Sequence, residues 1–355
     1  MRRIPELDGL RALAAAAVLL FHVDPPRFFW GWTGVDLFFV LSGYLITGII
    51  AREVGSARSM AVFYLRRGLR IWPVYYVTLG LLVAINPLLI LPEPLATVPY
   101  YLTFTQNVQL YVKSTIPPVM PAFDHTWTLA LEEQFYLVWP LLAALAGKRR
   151  LAWLCLGVAM LGWMARAGGY LSWSSYSERT LLGRCDGFAL GGLLAALMAD
   201  GRIGEARRRW IFGATTILAG IYLASGMARL GGIPFLGLPT PADPAGTILA
   251  VGVFYLGVVG TVAASAGARW LAPLRDRRLV ALGKVSYGIY MYHYPIYWLV
   301  DGGRFTNGRP WYVGVLKVAL TLMAAALSWR LMERPCLNLK ERLAYRATMV
   351  DKRGV

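Results

Sequence analysis

Ten apolar runs follow one another along this chain of 355 residues, at about 9–24, 30–50, 71–91, 129–146, 151–167, 185–199, 210–228, 246–265, 280–300 and 311–332. No gap between them is long enough to hold a soluble domain. Each run is close to the ~20 residues that an α-helix needs to cross a bilayer, and in lipid only helices and closed barrels satisfy every backbone polar group. The expected fold is therefore all-α, a polytopic integral membrane bundle of about ten transmembrane helices. Composition excludes a soluble alternative: 57% of the residues are hydrophobic and 15% are charged, where soluble domains carry about 25% charged residues.

The net charge of +17 would suggest nucleic acid as the partner of a soluble protein. Here the charge lies in short clusters between apolar runs. With ten crossings, the basic segments 52–70, 148–150, 202–209, 269–284 and 334–353 all fall on the side of Arg2 and Arg3, whereas the opposite loops 91–95 and 230–245 hold Pro, Gly and Asp with almost no Lys. Loops rich in Lys and Arg stay on the cytoplasmic side, against anionic lipid. Both termini are thus expected in the cytoplasm, with membrane lipids and no nucleic acid as partners. An eleventh apolar stretch, 98–112, contains Gln106, Asn107 and Gln109, and counting it would place the later clusters outside. Segment 95–128 is accordingly expected to be extracytoplasmic or re-entrant, as non-helical backbone at membrane depth must line a cavity.

Residues 1–3 with the first run could pass for a signal peptide, but Asp8 and Arg11 interrupt the run and no small-residue cleavage site precedes Asp24. The expectation is an uncleaved first span. Cys155, Cys185 and Cys336 lack metal spacing and are expected to be free thiols. The domain division expected from the runs is a transmembrane domain over 1–335 and a basic cytoplasmic tail over 336–355.

The first run reads LDGLRALAAAAVLLFHVD, Leu7 to Asp24, and contains Asp8, Arg11 and His22. In hydrocarbon each is costly unless it faces protein or water. At 100° per residue Arg11 and His22 fall within about 20° of one another and roughly 16 Å apart along the axis. This stripe reads as the wall of an internal site with a cationic inner end and a titratable outer end. Alternatively, Arg11 snorkels to one interface and His22 sits at the other, and on this helix alone the two readings stand level.

The topology sorts the remaining polar residues into two layers. On the inner side, FYLRRGLRIWP (63–73) crowds Arg66, Arg67 and Arg70 into one turn. Arg67 and Arg70 are i, i+3 and share a helix face, so their forked donors can converge on one phosphate; an ordinary positive-inside collar would look the same. On the outer side lie His22, Asp36, His125, Glu132 and Glu133, Arg184 and Asp186, and His293. Glu132 and Glu133 complement a helix dipole at the head of their run, yet they point about 100° apart, so one can face the bundle. A buried carboxylate near His and Arg is an acid/base candidate. A metal site would use the same His and carboxylate residues, but no two histidines share a short helical spacing, and no metal is expected.

The segments DGLRALAAAAVLLFH, GVDLFFVLSGYLIT, FYLRRGLRIWP, HTWTLALEEQFYLVWP, RCDGFALGG and LGKVSYGIYMYHYPI, in that order and spacing, resemble the membrane acyltransferase-3 family over about residues 7–335. The resemblance implies about ten spans and transfer of acyl groups, often acetyl from acetyl-CoA, onto hydroxyls of envelope polysaccharides, peptidoglycan or macrolides. It makes His22 the critical histidine, Arg67 and Arg70 the Arg-x-x-Arg pair, and Glu132 the glutamate of the Trp-Ser-Leu-x-x-Glu motif. Thr128 stands where the family usually has Ser, with the hydroxyl kept. The chain ends shortly after the last run, and the hydrolase-like domain that some members carry is not expected in it.

Together these readings imply a bacterial cytoplasmic-membrane O-acyltransferase that takes acyl-CoA as donor co-substrate, with no permanently bound cofactor, and a sugar or glycan hydroxyl as acceptor. Arg66, Arg67 and Arg70 would hold the donor's phosphates while its pantetheine arm threads towards the polar stripe. His22 would act as general base or transient acyl carrier, with Glu132 orienting or charging the imidazole. Ser42 and Tyr44 could donate to the thioester oxygen, though packing explains both. Asp8, Arg11, Asp36, His125, Arg184, Asp186 and His293 would shape the acceptor site or support it. Two rivals remain. A transporter or flippase of a lipid-linked saccharide would use the buried charges as a substrate path, against which no internal repeat is visible. An acyl-CoA-sensing scaffold would keep the Arg pair and dispense with His22.

Overall fold

A computed structural model describes residues 3–53, 57–89, 95–108, 120–168, 179–230, 244–303 and 309–339. All regular structure among the described residues is helical. The main helices are α1 (Pro5–Val23), α2 (Gly34–Glu53), α3 (Ala57–Ile85), the five-residue α4 (Val98–Leu102), α5 (Trp127–Ala167), α6 (Leu181–Ala199), α7 (Glu205–Leu230), α8 (Pro244–Ala264), α9 (Arg277–Lys284), α10 (Ser286–Val300) and α11 (Trp311–Ser328). The protein is an all-α integral membrane protein. Among the described residues, six helical stretches are long and apolar enough to cross a membrane: 29–52, 59–88, 121–167, 181–199, 245–264 and 311–339.

The described parts of the apolar runs lie largely on helices; one long helix carries two runs, whereas the run 280–300 is divided between α9 and α10. In α5, Gly147 adopts φ 63° and ψ 171°, non-helical angles that break the 41-residue element into two arms. A positive φ is open to Gly at no steric cost, and the exposed cluster Lys148, Arg149 and Arg150 follows immediately. The runs 129–146 and 151–167 are these two arms. The wet stretch 98–112 forms no spanning helix among its described residues. Its described residues hold α4, then Phe104 at φ 53° and a short helical stretch at 106–108, and the buried Asn107 amide is tied to the Gln134 side chain and to the Arg179 carbonyl.

The chain forms two compact units. The first comprises Met1–Arg52, Phe104–Pro117 and Trp127–Lys284, the second Glu53–Thr103, Pro118–Thr126 and Val285–Val355. In the first unit α5 packs along α6, α7 along α8, and α1 on α9. Its core joins Leu37, Val40, Leu41 and Tyr44 of α2 to Leu190 and Leu194 of α6, Phe212 of α7 and Val259 of α8. The α2–α6 crossing is made by reciprocal glycines: a Cβ on Gly43 would enter the Phe188 carbonyl, and one on Gly191 the Val40 carbonyl. Lipid gives helices no hydrophobic drive to associate, so small residues that let backbones touch supply the contact instead. The start of α1 is fixed by buried Glu6, which accepts from the Gly267 amide at 2.9 Å and lies 3.6 Å from the Arg275 guanidinium. In the second unit α10 packs on α11 and on α3. There the Tyr75 hydroxyl donates to the Tyr101 carbonyl, the Tyr101 hydroxyl accepts from the Met120 amide, and Lys317 pairs with Asp301 at 2.7 Å.

Candidate functional site

His22 sits in the last turn of α1, half-buried. Its Nδ1 lies 2.9 Å from the Val18 carbonyl, four residues back. A carbonyl can only accept, so this contact puts a proton on Nδ1. The ring is also met edge-on by Phe21, with centroids 5.0 Å apart. The helix itself thus keeps a proton on Nδ1 of the imidazole. At the other end of the same stripe the expected bare cation is an ion cluster: Asp8 accepts from Arg3 at 2.7 Å and from Arg11 at 3.4 Å. The carboxylate lies one turn before Arg11 and offsets its charge, which the face argument alone left out.

Glu132 lies near the head of α5, half-buried, at the end of a chain of hydroxyls. Ser42 Oγ donates to Glu132 Oε1 at 2.8 Å, and Tyr136 Oη stands 3.1 Å from Ser42 Oγ. Ser has a single hydroxyl hydrogen. Since the carboxylate takes it, the Tyr136 hydroxyl must be the donor to Ser42. Both donors run one way, Tyr136 to Ser42 to Glu132, and successive bonds of this kind polarise one another. Ser42, read from sequence as a donor to a thioester, is brought to Glu132. Tyr44, two residues on, is 3% exposed and belongs to the packed core.

Asp36, Arg184 and Asp186 form two closed ion pairs in the first unit. Arg184 Nη1 meets Asp36 Oδ1 at 2.7 Å, with side chains 6% and 4% exposed, and the guanidinium also lies 5.9 Å from the Trp32 ring centroid. Asp186 pairs with Arg166 at 2.5 Å, both side chains 3% exposed, and Arg166 donates further to the Gly183 carbonyl. Sequence reasoning passed over Arg166. The signal was present, because an Arg closing an apolar run needs a partner. Lys317 and Asp301 are a second pair of this kind that was missed.

In the second unit, Arg66, Arg67 and Arg70 lie on one unbroken helical stretch of α3, half-buried, with Arg67 and Arg70 one turn apart. His125 precedes α5 in a 3₁₀ turn, Pro121–Thr126, and is brought to His293 of α10, the ring centroids 5.1 Å apart. His125 stacks on Tyr294 at 4.9 Å, its carbonyl accepts from the Tyr290 hydroxyl, and His293 Nδ1 lies 2.5 Å from the Tyr290 carbonyl. The two histidines are 4% and 0% exposed, so they form the inside of an aromatic box. Glu333, outside the sequence-derived set, is buried in the same unit. Cys155, Cys185 and Cys336 are free thiols.

The family described as an acyltransferase domain matches residues 4–330. The peptidoglycan O-acetyltransferase OatA of Listeria monocytogenes is 31% identical over 94% of this chain and 55% of its own length. The O-acetyltransferase OatA of Staphylococcus aureus is 27% identical over 94% of this chain and 57% of its own. The chain therefore spans little more than half the length of these curated relatives. No solved structure matches it. A family match over nearly the whole chain, on helices that carry the ordered motifs, means that this chain belongs to the membrane acyltransferase-3 family.

Proposed function

We propose that the protein is a membrane O-acyltransferase that moves an acyl group, most simply acetyl, from acyl-CoA to a hydroxyl of a cell-envelope glycan. The observation that carries this reading is the His22 imidazole, whose Nδ1 donates to the Val18 carbonyl, which makes Nε2 the nitrogen proposed as the base. Nε2 takes the acceptor's hydroxyl proton as the oxygen attacks the thioester carbonyl. The C–S bond breaks, and the imidazolium returns the proton to the leaving thiolate, giving an ester and free CoA. Glu132, aimed by Ser42 and Tyr136, supplies the negative charge that favours the imidazolium form. Arg67 and Arg70, one turn apart, offer forked donors to the phosphates of CoA. The basic segments beside that end of α3 support a cytoplasmic orientation, on the side where acyl-CoA is made. The names of the relatives support acetyl as the acyl group and peptidoglycan as the acceptor class.

The test is release of free thiol from acetyl-CoA by the purified protein with envelope glycan present, wild type against His22→Ala. Thiol release that falls to background in the variant, with CoA binding retained, is expected. Undiminished release would remove His22 from the chemistry. Glycan movement without thiol release would make the protein a transporter.

A further inference from the structure

The residues that follow His22 fold back over the helical turn that carries it, and they expose aromatic rings that the reaction above does not use. The Asp24 carbonyl accepts from the Phe28 amide at 3.0 Å and its side chain from the Arg27 amide at 3.3 Å, so the chain reverses direct from the end of α1. The 3₁₀ turn Phe29–Thr33 then packs on α1. Gly31 permits that approach: a Cβ there would lie 2.1 Å from the Ala17 carbonyl oxygen and 2.7 Å from Phe21 Cβ. Ala17 and Phe21 directly precede Val18 and His22, the pair joined through the His22 ring. Two further helices fix the turn. Thr33 Oγ1 donates to the Trp30 carbonyl at 2.8 Å, and with its one hydrogen used it accepts from the Tyr255 hydroxyl of α8 at 2.7 Å. Trp32 lies against the Arg184 guanidinium of α6. On this mount Trp30 is 39% exposed, with the Phe29 ring 5.0 Å from its own. Arg27, exposed, places its guanidinium 5.8 Å from the Phe28 ring centroid.

We propose that Trp30, backed by Phe29 and flanked by Arg27, is the platform on which a sugar ring of the acceptor glycan stacks, so that a hydroxyl of the same glycan is presented to His22. An indole ring offers a negative π face to partly positive C–H groups. A sugar ring carries such groups on one face and hydroxyls around its rim, which matches a flat ring beside a guanidinium with five N–H donors. An interfacial belt also uses Trp, but its rings anchor by insertion and gain nothing from a mount tied to three helices, whereas recognition gains from a ring held in place before the ligand arrives. The basic segments support an outward orientation for this end of α1, the side of the envelope glycan. The inference rests on the proposed reading of the acceptor as a glycan and of His22 as its base.

The experiment measures co-sedimentation of the full purified chain, in lipid nanodiscs free of sugar detergents, with purified peptidoglycan sacculi, and thiol release from acetyl-CoA by the same preparations. Wild type, His22→Ala, Trp30→Ala, Trp30→Tyr and Trp30→Leu are compared. Wild type is expected to bind the sacculi, and Trp30→Ala to bind about 10-fold more weakly, the scale of a lost aromatic contact. Trp30→Tyr, which keeps a planar ring, is expected to recover most of the affinity. Trp30→Leu, which keeps only apolar bulk, is expected to bind as weakly as Trp30→Ala, and it preserves the comparison should Trp30→Ala not fold. Wild type that does not bind, or Trp30→Leu that binds as wild type does, would overturn the proposal. If His22→Ala abolishes thiol release while binding is indifferent to Trp30, the platform alone fails. If binding depends on Trp30 while thiol release is indifferent to His22→Ala, the base assignment fails and the platform stands.

Discussion

Two regions of the first unit bury charge in opposite ways. Where α6 begins, Asp36–Arg184 and Asp186–Arg166 are direct ion pairs at 2.7 and 2.5 Å, each side chain at most 6% exposed. Around α2 and the head of α5, Glu132 is approached by a hydroxyl, and His22 is tethered to a backbone carbonyl of its own helix. A charge matched at contact distance has its partner already, and its contribution is to fix three helices to one another. A hydroxyl donor does not cancel a carboxylate's charge as a guanidinium does, and a carbonyl acceptor only fixes which imidazole nitrogen carries a proton. Burial alone therefore separates neither group; the identity of the partner does. The second unit repeats the contrast, with Lys317–Asp301 in direct contact and Glu333 held by the Ser328 hydroxyl.

The sharpest way to break this comparison is to exchange the effects of the two classes. His22→Ala should cut thiol release from acetyl-CoA by about 10²–10⁴-fold, the range for loss of a general base, while the thermal unfolding midpoint in detergent stays near that of wild type. Arg184→Ala should do the reverse. It leaves Asp36 buried without its guanidinium, at a cost of about 3–5 kcal/mol, read as a large fall in unfolding midpoint and in the amount of folded protein recovered. If instead Arg184→Ala folds normally and loses activity, the pair belongs to the site and the distinction fails.

A smaller effect is expected at the crossing that holds α2 in register. Gly191→Ala drives a methyl into the Val40 carbonyl and should destabilise by about 1–3 kcal/mol through overpacking, seen as a lower unfolding midpoint. Ser42→Ala takes its effect on rate rather than on stability. It removes one hydrogen bond to a charged group, about 1.5–3 kcal/mol of interaction, and should lower kcat roughly 10-fold with KM for acetyl-CoA unchanged. Ser42→Thr, which keeps the hydroxyl, should restore most of the rate. A rise in KM instead would return Ser42 to the donor-binding role that the sequence suggested.

Much of the fold was legible because bilayer chemistry writes itself into composition. The described parts of the apolar runs are largely helical, though six stretches among the described residues rather than ten are long and apolar enough to span, and the wet stretch 98–112 forms no spanning helix among its described residues. For the proposed site, the motif positions His22, Glu132, Arg67 and Arg70 could be named from the family resemblance, and the ionisable residues inside apolar runs from their cost in lipid. Their partners could not. The two carboxylates Asp36 and Asp186, which the sequence grouped with an acceptor site, are each closed by an arginine far along the chain, and Ser42 meets Glu132 across ninety positions. Nothing periodic links such residues.

The sequence by itself determined the class of the protein, the helices and the roster of costly polar side chains, because hydrophobicity and helical period act over a few turns of one segment. The tertiary structure alone decided which of those side chains neutralise one another and which remain chemically available. That choice depends on helix crossings set by contacts such as Gly43 on Phe188 and Gly191 on Val40, where the absence of a side chain, rather than any property of the neighbouring charges, fixes who meets whom.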